Sequence, residues 1–194
     1  AEGLALNRLR RWEKHDFKPL PGDIFQERLY AIQWITRETL SSGRQDTYFA
    51  APTPEDLERE RKIEAIVGSN LLRWQRDGLV PDMAIEPGEK TDEPIRTRGW
   101  THWHHMFSPR QILVAALVHE QIQRMPADVQ PALSLSLAKM LDWSSKLCRY
   151  GTGAARESIT QTFYNQAYNT NYFYGVRSFV TGQNYLYLTD AATR

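Results

Sequence analysis

The stretch TPEDLERERKIEAIVGSNLLRWQRDG, residues 53–78, decides the fold class. Thr53 precedes Pro54, and Asp56 follows three residues after Thr53. A threonine oxygen there can accept a bond from the third helical residue, the aspartate can return one, and proline suits the first helical position. Glu55, Asp56 and Glu58 put negative charge at the positive end of the helix dipole. Leu57, Ile63, Ile66, Val67, Leu71 and Trp74 follow a helical stripe as far as the Asp77-Gly78 break. The charged residues between them form a solvated face.

Working outward, the same start signal recurs at Ser108-Pro109-Arg110-Gln111. It predicts a helix from Pro109 to about Met125, with Ile112, Ala115, Ala116, His119 and Ile122 inward and Pro126 ending it. A third helix is expected over roughly 127–149. Its Leu133-Ser134-Leu135-Ser136-Leu137 alternation also fits a strand, but the continuation through Met140 and Leu141 favours helix. Tyr150-Gly151-Thr152-Gly153 reads as a break, and Glu157 to about Ala167 as a further helix. Asn184 to Thr189 reads as a weak strand. Upstream, Leu4, Leu6 and Leu9 suggest a short helix ended by Pro19 and Pro21-Gly22. Residues 25–36 are rich in strand formers, with Tyr30, Ile32 and Trp34 alternating against Ala31, Gln33 and Ile35. Thr47–Ala50 is a second strand candidate across a polar turn. The expected fold is mainly α: three to four helices, with a small antiparallel β-hairpin packed against them. The organisation is an N-terminal segment with the hairpin over residues 1–52 and a helical region over 53–194.

The composition bounds function loosely. The 194 residues suffice for one compact domain, and such a chain buries roughly 70% of its unfolded surface. Lys plus Arg number 24 against 23 Asp plus Glu, so local clusters decide more than the net charge of +1. No apolar run is long enough for a membrane span. The one cysteine, Cys148, rules out a disulfide framework or a cysteine zinc site and suits a reducing cytoplasm. No secretory leader is legible, and the start at Ala1 suits a processed protein or an excised piece.

Residues 79–107 carry Pro81, Pro87, Gly88, Pro94 and Gly99 and read as a long irregular connection, which is often functional. Its end is dense in rings and positive charge: Arg96, Arg98, Trp100, His102, Trp103, His104, His105, Phe107 and Arg110 lie within residues 94–110. Three readings follow. Trp100, Trp103 and Phe107 stack on bases while Arg96, Arg98 and Arg110 hold phosphates, each stacked base contributing about 1–3 kcal/mol. Alternatively, His102, His104 and His105 ligate a metal, the H-x-H pair projecting to one side of an extended segment. Or the rings form a plug over the helices, with arginine stems reaching water. Asn165 and Gln166, in the Asn-, Gln- and Tyr-dense last forty residues, are candidate base-edge readers. Gly151-Thr152-Gly153 lacks the preceding strand that a dinucleotide loop needs. Ser144, Ser158 and Cys148 sit in no nucleophile elbow, so no self-contained catalytic set is present.

The strings Arg98–Gln111 and Thr162–Ala167 resemble an internal region of large bacterial adenine-specific DNA methylases that carry a zinc ribbon. Leu137–Cys148 and Phe49–Leu57 are similar to further parts of that family, so the likeness spans about residues 24–180. The resemblance implies a parent enzyme that moves a methyl group from S-adenosylmethionine to the exocyclic amine of adenine. Such enzymes work on a flipped base with an Asx-Pro-Pro-aromatic loop. This sequence has no Pro-Pro dipeptide, no glycine-rich cofactor loop after a strand, and no ribbon cysteines. It thus corresponds to the insert between ribbon and catalytic loop, with no cofactor of its own. Its expected partners are DNA and the remainder of the methylase. The alternative role is a scaffold that braces the methylase domain.

Overall fold

A computed structural model of the chain describes residues 9–43, 45–153 and 156–162. Two strands come first, β1 (Ile32–Ile35) and β2 (Thr47–Ala50), followed by the helices α1 (Pro54–Arg76), α2 (Asp92–Arg98), α3 (Pro109–Gln123) and α4 (Gln130–Asp142). A second pair of strands, β3 (Tyr150–Gly153) and β4 (Arg156–Ile159), closes the order. The chain is mainly helical with a small antiparallel hairpin, as its patterning predicts.

Both sequence-legible helix starts form as expected. The Thr53 hydroxyl accepts from the Asp56 amide at 3.2 Å, and the Asp56 carboxylate accepts from the Thr53 amide at 3.0 Å. Ser108 and Gln111 exchange the equivalent bonds at 3.4 and 2.8 Å. These bonds satisfy donors that an α-helix leaves open at its start. Helices α1 and α3 run in the same direction. Arg110, near the start of α3, pairs with Glu60 in α1, and His119, near its end, meets the Leu79 carbonyl just past α1. Val67, Leu71, Trp74, Leu79, Val80, Ile112 and Ala116 close the core between them. Antiparallel connections are short; parallel helices need a long return, and residues 77–108 supply it.

That return is more ordered than its prolines suggest. It holds α2 and a 3-10 turn over Trp103–Met106. Asp92 and Glu93 in the first turn of α2, Arg96 and Arg98 in the last, and Gly99 in the left-handed region just after it suit a helix, although Thr91 makes no side-chain cap.

Three other expectations change. The helix expected over 127–149 spans Gln130–Asp142 only. Beyond it the serines compete for backbone bonds: the Ser145 hydroxyl accepts from the Leu147 amide at 3.1 Å and pairs with Thr162 at 2.7 Å. Tyr150–Gly153 is a strand, not a simple break, and Arg156–Ile159 is its antiparallel partner rather than the start of a helix. Strand choice here comes from the pairing, which neither segment's own periodicity reveals. Residues 9–18 form an irregular strap with a turn at Lys14-His15, not a helix. The rest of the two terminal helix expectations, and the strand read at 184–189, lie outside the described residues.

The β1–β2 ladder pairs Ile32 with Ala50 and Trp34 with Tyr48. The helical body covers little of it: Trp34 is 42% exposed and Tyr48 53%.

Candidate functional site: the aromatic–histidine segment

The segment 99–106 lies between two stretches of chain. On one side, the Ile85 amide donates to the Thr101 carbonyl at 2.8 Å and the Trp103 amide to Met83 at 3.2 Å. On the other lies the strap. The Trp12 amide donates to the Gly99 carbonyl at 2.8 Å, and the Thr101 hydroxyl donates to the Trp12 carbonyl at 2.5 Å. Gly99 has φ +76°, and a β-carbon there would run into the Arg10 carbonyl oxygen. Glycine is therefore required twice over, for the dihedral and for the close backbone approach.

The histidines fasten the strap. His105 Nδ1 accepts from the amides of Thr101 at 3.1 Å and His102 at 3.3 Å, which leaves Nε2 protonated to donate to the Glu13 carbonyl at 3.0 Å. His104 Nε2 donates to the Asp16 carbonyl at 3.1 Å, and the Gln75 side-chain amide faces its Nδ1 at 3.4 Å. Both rings are fully buried. Burial, which disfavours the charged form, pushes His104 down to about 4 and His105 to about 2. Both are neutral at pH 7.

Lys146 completes the assembly. Its side chain is inaccessible to water, with the ammonium 2.8 Å from a Glu27 carboxylate oxygen. The same nitrogen stands 5.0 Å from the ring centroids of both Trp12 and Trp100. The two indoles meet edge to face with centroids 6.2 Å apart. Met106 and Leu147 fill in around them. A charge this deep is tolerated because it is paired and lies over two electron-rich faces.

The predicted site residues thus have divergent settings. Trp100 is 1% exposed and Arg98 3%, so neither presents a surface to a base or a phosphate. Both lie in the interior, beside Leu9, Arg10 and Trp12 of the strap. Phe107 bridges the two core clusters, and Trp103 packs partly buried on the second. Arg110 is bound to Glu60 at 2.7 Å. Arg96 is exposed on α2. Asn165 and Gln166 lie outside the described residues. Arg98 also lines, with Arg10, Asp23, Glu27 and the two tryptophans, a cavity of about 20 Å³, room for about one water. Arg10 ties Asp16 and Asp23 at 2.5 and 2.6 Å, and its hydrogen bond holds the Asp23 carboxyl below the usual range.

The histidines make no metal centre: among the described residues no three His, Cys, Asp or Glu side chains converge as ligands. His104 and His105 have both nitrogens engaged, and His102 Nδ1 is held by the Thr101 hydroxyl at 2.9 Å. Cys148 is a core thiol, 1% exposed, accepting from the Ser145 amide at 3.3 Å. Sequence reasoning missed Trp12 and Lys146. Trp12 reads locally as part of a basic cluster and Lys146 as a cation near the end of the expected third helix, and only the fold brings them together.

The chain matches no known family, no curated protein and no solved structure.

Proposed function

We propose that this chain is a non-catalytic structural region of an adenine-N6 DNA methyltransferase, in which residues 94–110 act as a clasp rather than a base-stacking groove. The single observation behind the clasp is the Lys146 ammonium held between Trp12 and Trp100. It joins three segments distant in sequence: the strap, the aromatic–histidine segment and the turn after α4. The methylase parentage rests on the likeness of residues 98–111 to that family. S-adenosylmethionine and the reacting base would then belong to the remainder of the protein, since no Asx-Pro-Pro-aromatic string occurs in this sequence.

A direct DNA contact by this segment is the second reading, and exposed Arg96 favours it. Urea melts and DNA titrations separate the two. The clasp predicts that Trp100→Ala costs about 3–5 kcal/mol of stability, as large-to-small core changes do. It also predicts that Arg96→Ala leaves DNA affinity unchanged. A Trp100→Ala protein with unaltered stability and weakened DNA binding would reverse the assignment.

A further inference from the structure

The hairpin carries an aromatic surface that the clasp does not use. Trp34 faces Tyr48 across the ladder, and Phe49 lies on the opposite side beside Gln33. Phe49 is 54% exposed and Tyr30, just ahead of β1, 62%. Two short strands are marginal alone, so several large rings held in water on such a hairpin point to a ligand.

The cations nearby set its class. In the helical body, Arg59, Arg61, Arg110 and Arg124 are each tied to an acid. Arg28, before β1, and Arg37, after it, are exposed and have no ion-pair partner among the described residues. Flat rings flanked by uncommitted guanidiniums suit unpaired bases and their phosphates. Glu38 and Asp46 are also exposed on this element and keep its net positive charge small. Duplex binding draws mainly on phosphate neutralisation, so a weakly charged aromatic face favours the single strand.

We propose that the β1–β2 hairpin is a stacking platform for single-stranded nucleic acid, with Trp34 and Tyr48 as its base-facing rings and Arg28 and Arg37 on the backbone. This goes beyond the clasp, which holds the body together without touching a ligand.

Fluorescence anisotropy with the full chain tests it, using labelled oligo-dT and a duplex of equal length at low salt. Saturable binding should favour the single strand. Trp34→Ala and Tyr48→Ala should each weaken it roughly tenfold, within the range for one lost stack, while Trp34→Phe retains most affinity. Removing both arginines should flatten the log–log salt dependence by about 1.4, at about 0.7 per single-strand phosphate contact. Unchanged thermal melts confirm that the variants fold. No binding to either probe, or binding indifferent to both ring deletions, overturns the proposal. So does self-association that Trp34→Ala disperses while oligonucleotides go unbound, a result that assigns the face to protein contact. None of these outcomes touches the clasp, which is read from the stability of Trp100→Ala.

Discussion

Gly99 offers the sharpest test of the clasp, because Gly78 is its natural control. Both glycines adopt left-handed backbone, at φ +76° and +73°. Alanine at either site incurs the left-handed penalty of about 1–2 kcal/mol. Both substitutions also stiffen the unfolded chain to the same degree, which offsets part of that cost equally. The two differ in what surrounds the new methyl group. Around Gly78 nothing lies within 4 Å of a β-carbon. At Gly99 the new atom collides with the Arg10 carbonyl oxygen and stands 3.1 Å from its carbon. These are backbone atoms, so no side-chain rotation relieves the overlap. The strap must move by about the shortfall from ordinary van der Waals contact, on the order of 1 Å. That displacement breaks the bond from the Trp12 amide to Gly99 and the one from the Thr101 hydroxyl to Trp12. At about 1 kcal/mol each, together with loosened packing of Trp12, the total for Gly99→Ala comes to about 4–6 kcal/mol, against about 1–2 for Gly78→Ala. Urea unfolding followed by tryptophan fluorescence and circular dichroism measures both. Equal midpoint shifts for the two variants would falsify the close strap approach from which the clasp is built.

Two further predictions probe the buried titratable groups. His104 and His105 are depressed below the unfolded value near 6.5. The unfolded chain therefore takes up protons first, and stability present above about pH 6.5 is lost as pH falls through 6.5 towards 4 and then 2. The limiting slope for two protons is about 2.7 kcal/mol per pH unit. Urea midpoints between pH 5 and 6.5, above most carboxylate titration, should fall steeply; a flat profile there contradicts neutral buried rings. Lys146→Met keeps the stem but leaves Glu27 without its partner, and breaking such a pair should cost about 3–5 kcal/mol. Adding Glu27→Gln should recover part of the loss, and a double-mutant cycle showing no coupling would remove Lys146 from the clasp.

Much of the helical framework is readable from short-range chemistry. Thr53 with Asp56, and Ser108 with Gln111, state their helix starts within four residues, because capping bonds are local. Pro126 ends α3 for the same reason. Helix α2 went unread, because Thr91 supplies no side-chain cap and Pro94 with the flanking prolines outweighs Asp92-Glu93 and Gly99. The strands were legible only where strand-forming residues flank a polar turn, at 32–35 and 47–50. At 150–159 the pairing itself decides, and pairing is not a property of either strand alone.

The candidate site divides along the same line. Composition alone marks residues 94–110 as unusual, and the types of side chain needed for stacking, ligation or packing are all present there. Which of those roles each side chain takes depends on groups far along the chain. Trp12 and Glu13 lie some ninety residues before His105, Lys146 lies beyond α4, and Glu60 sits about two turns into α1. The sequence by itself determined where α1 and α3 begin, that a hairpin precedes them, and that one segment concentrates rings with cations. Only the tertiary structure decided that Trp100 and Arg98 face inward while Trp34 and Tyr48 face water. Hydrogen bonds that cap a helix span a few residues, whereas burial is set by whatever distant chain happens to lie on top.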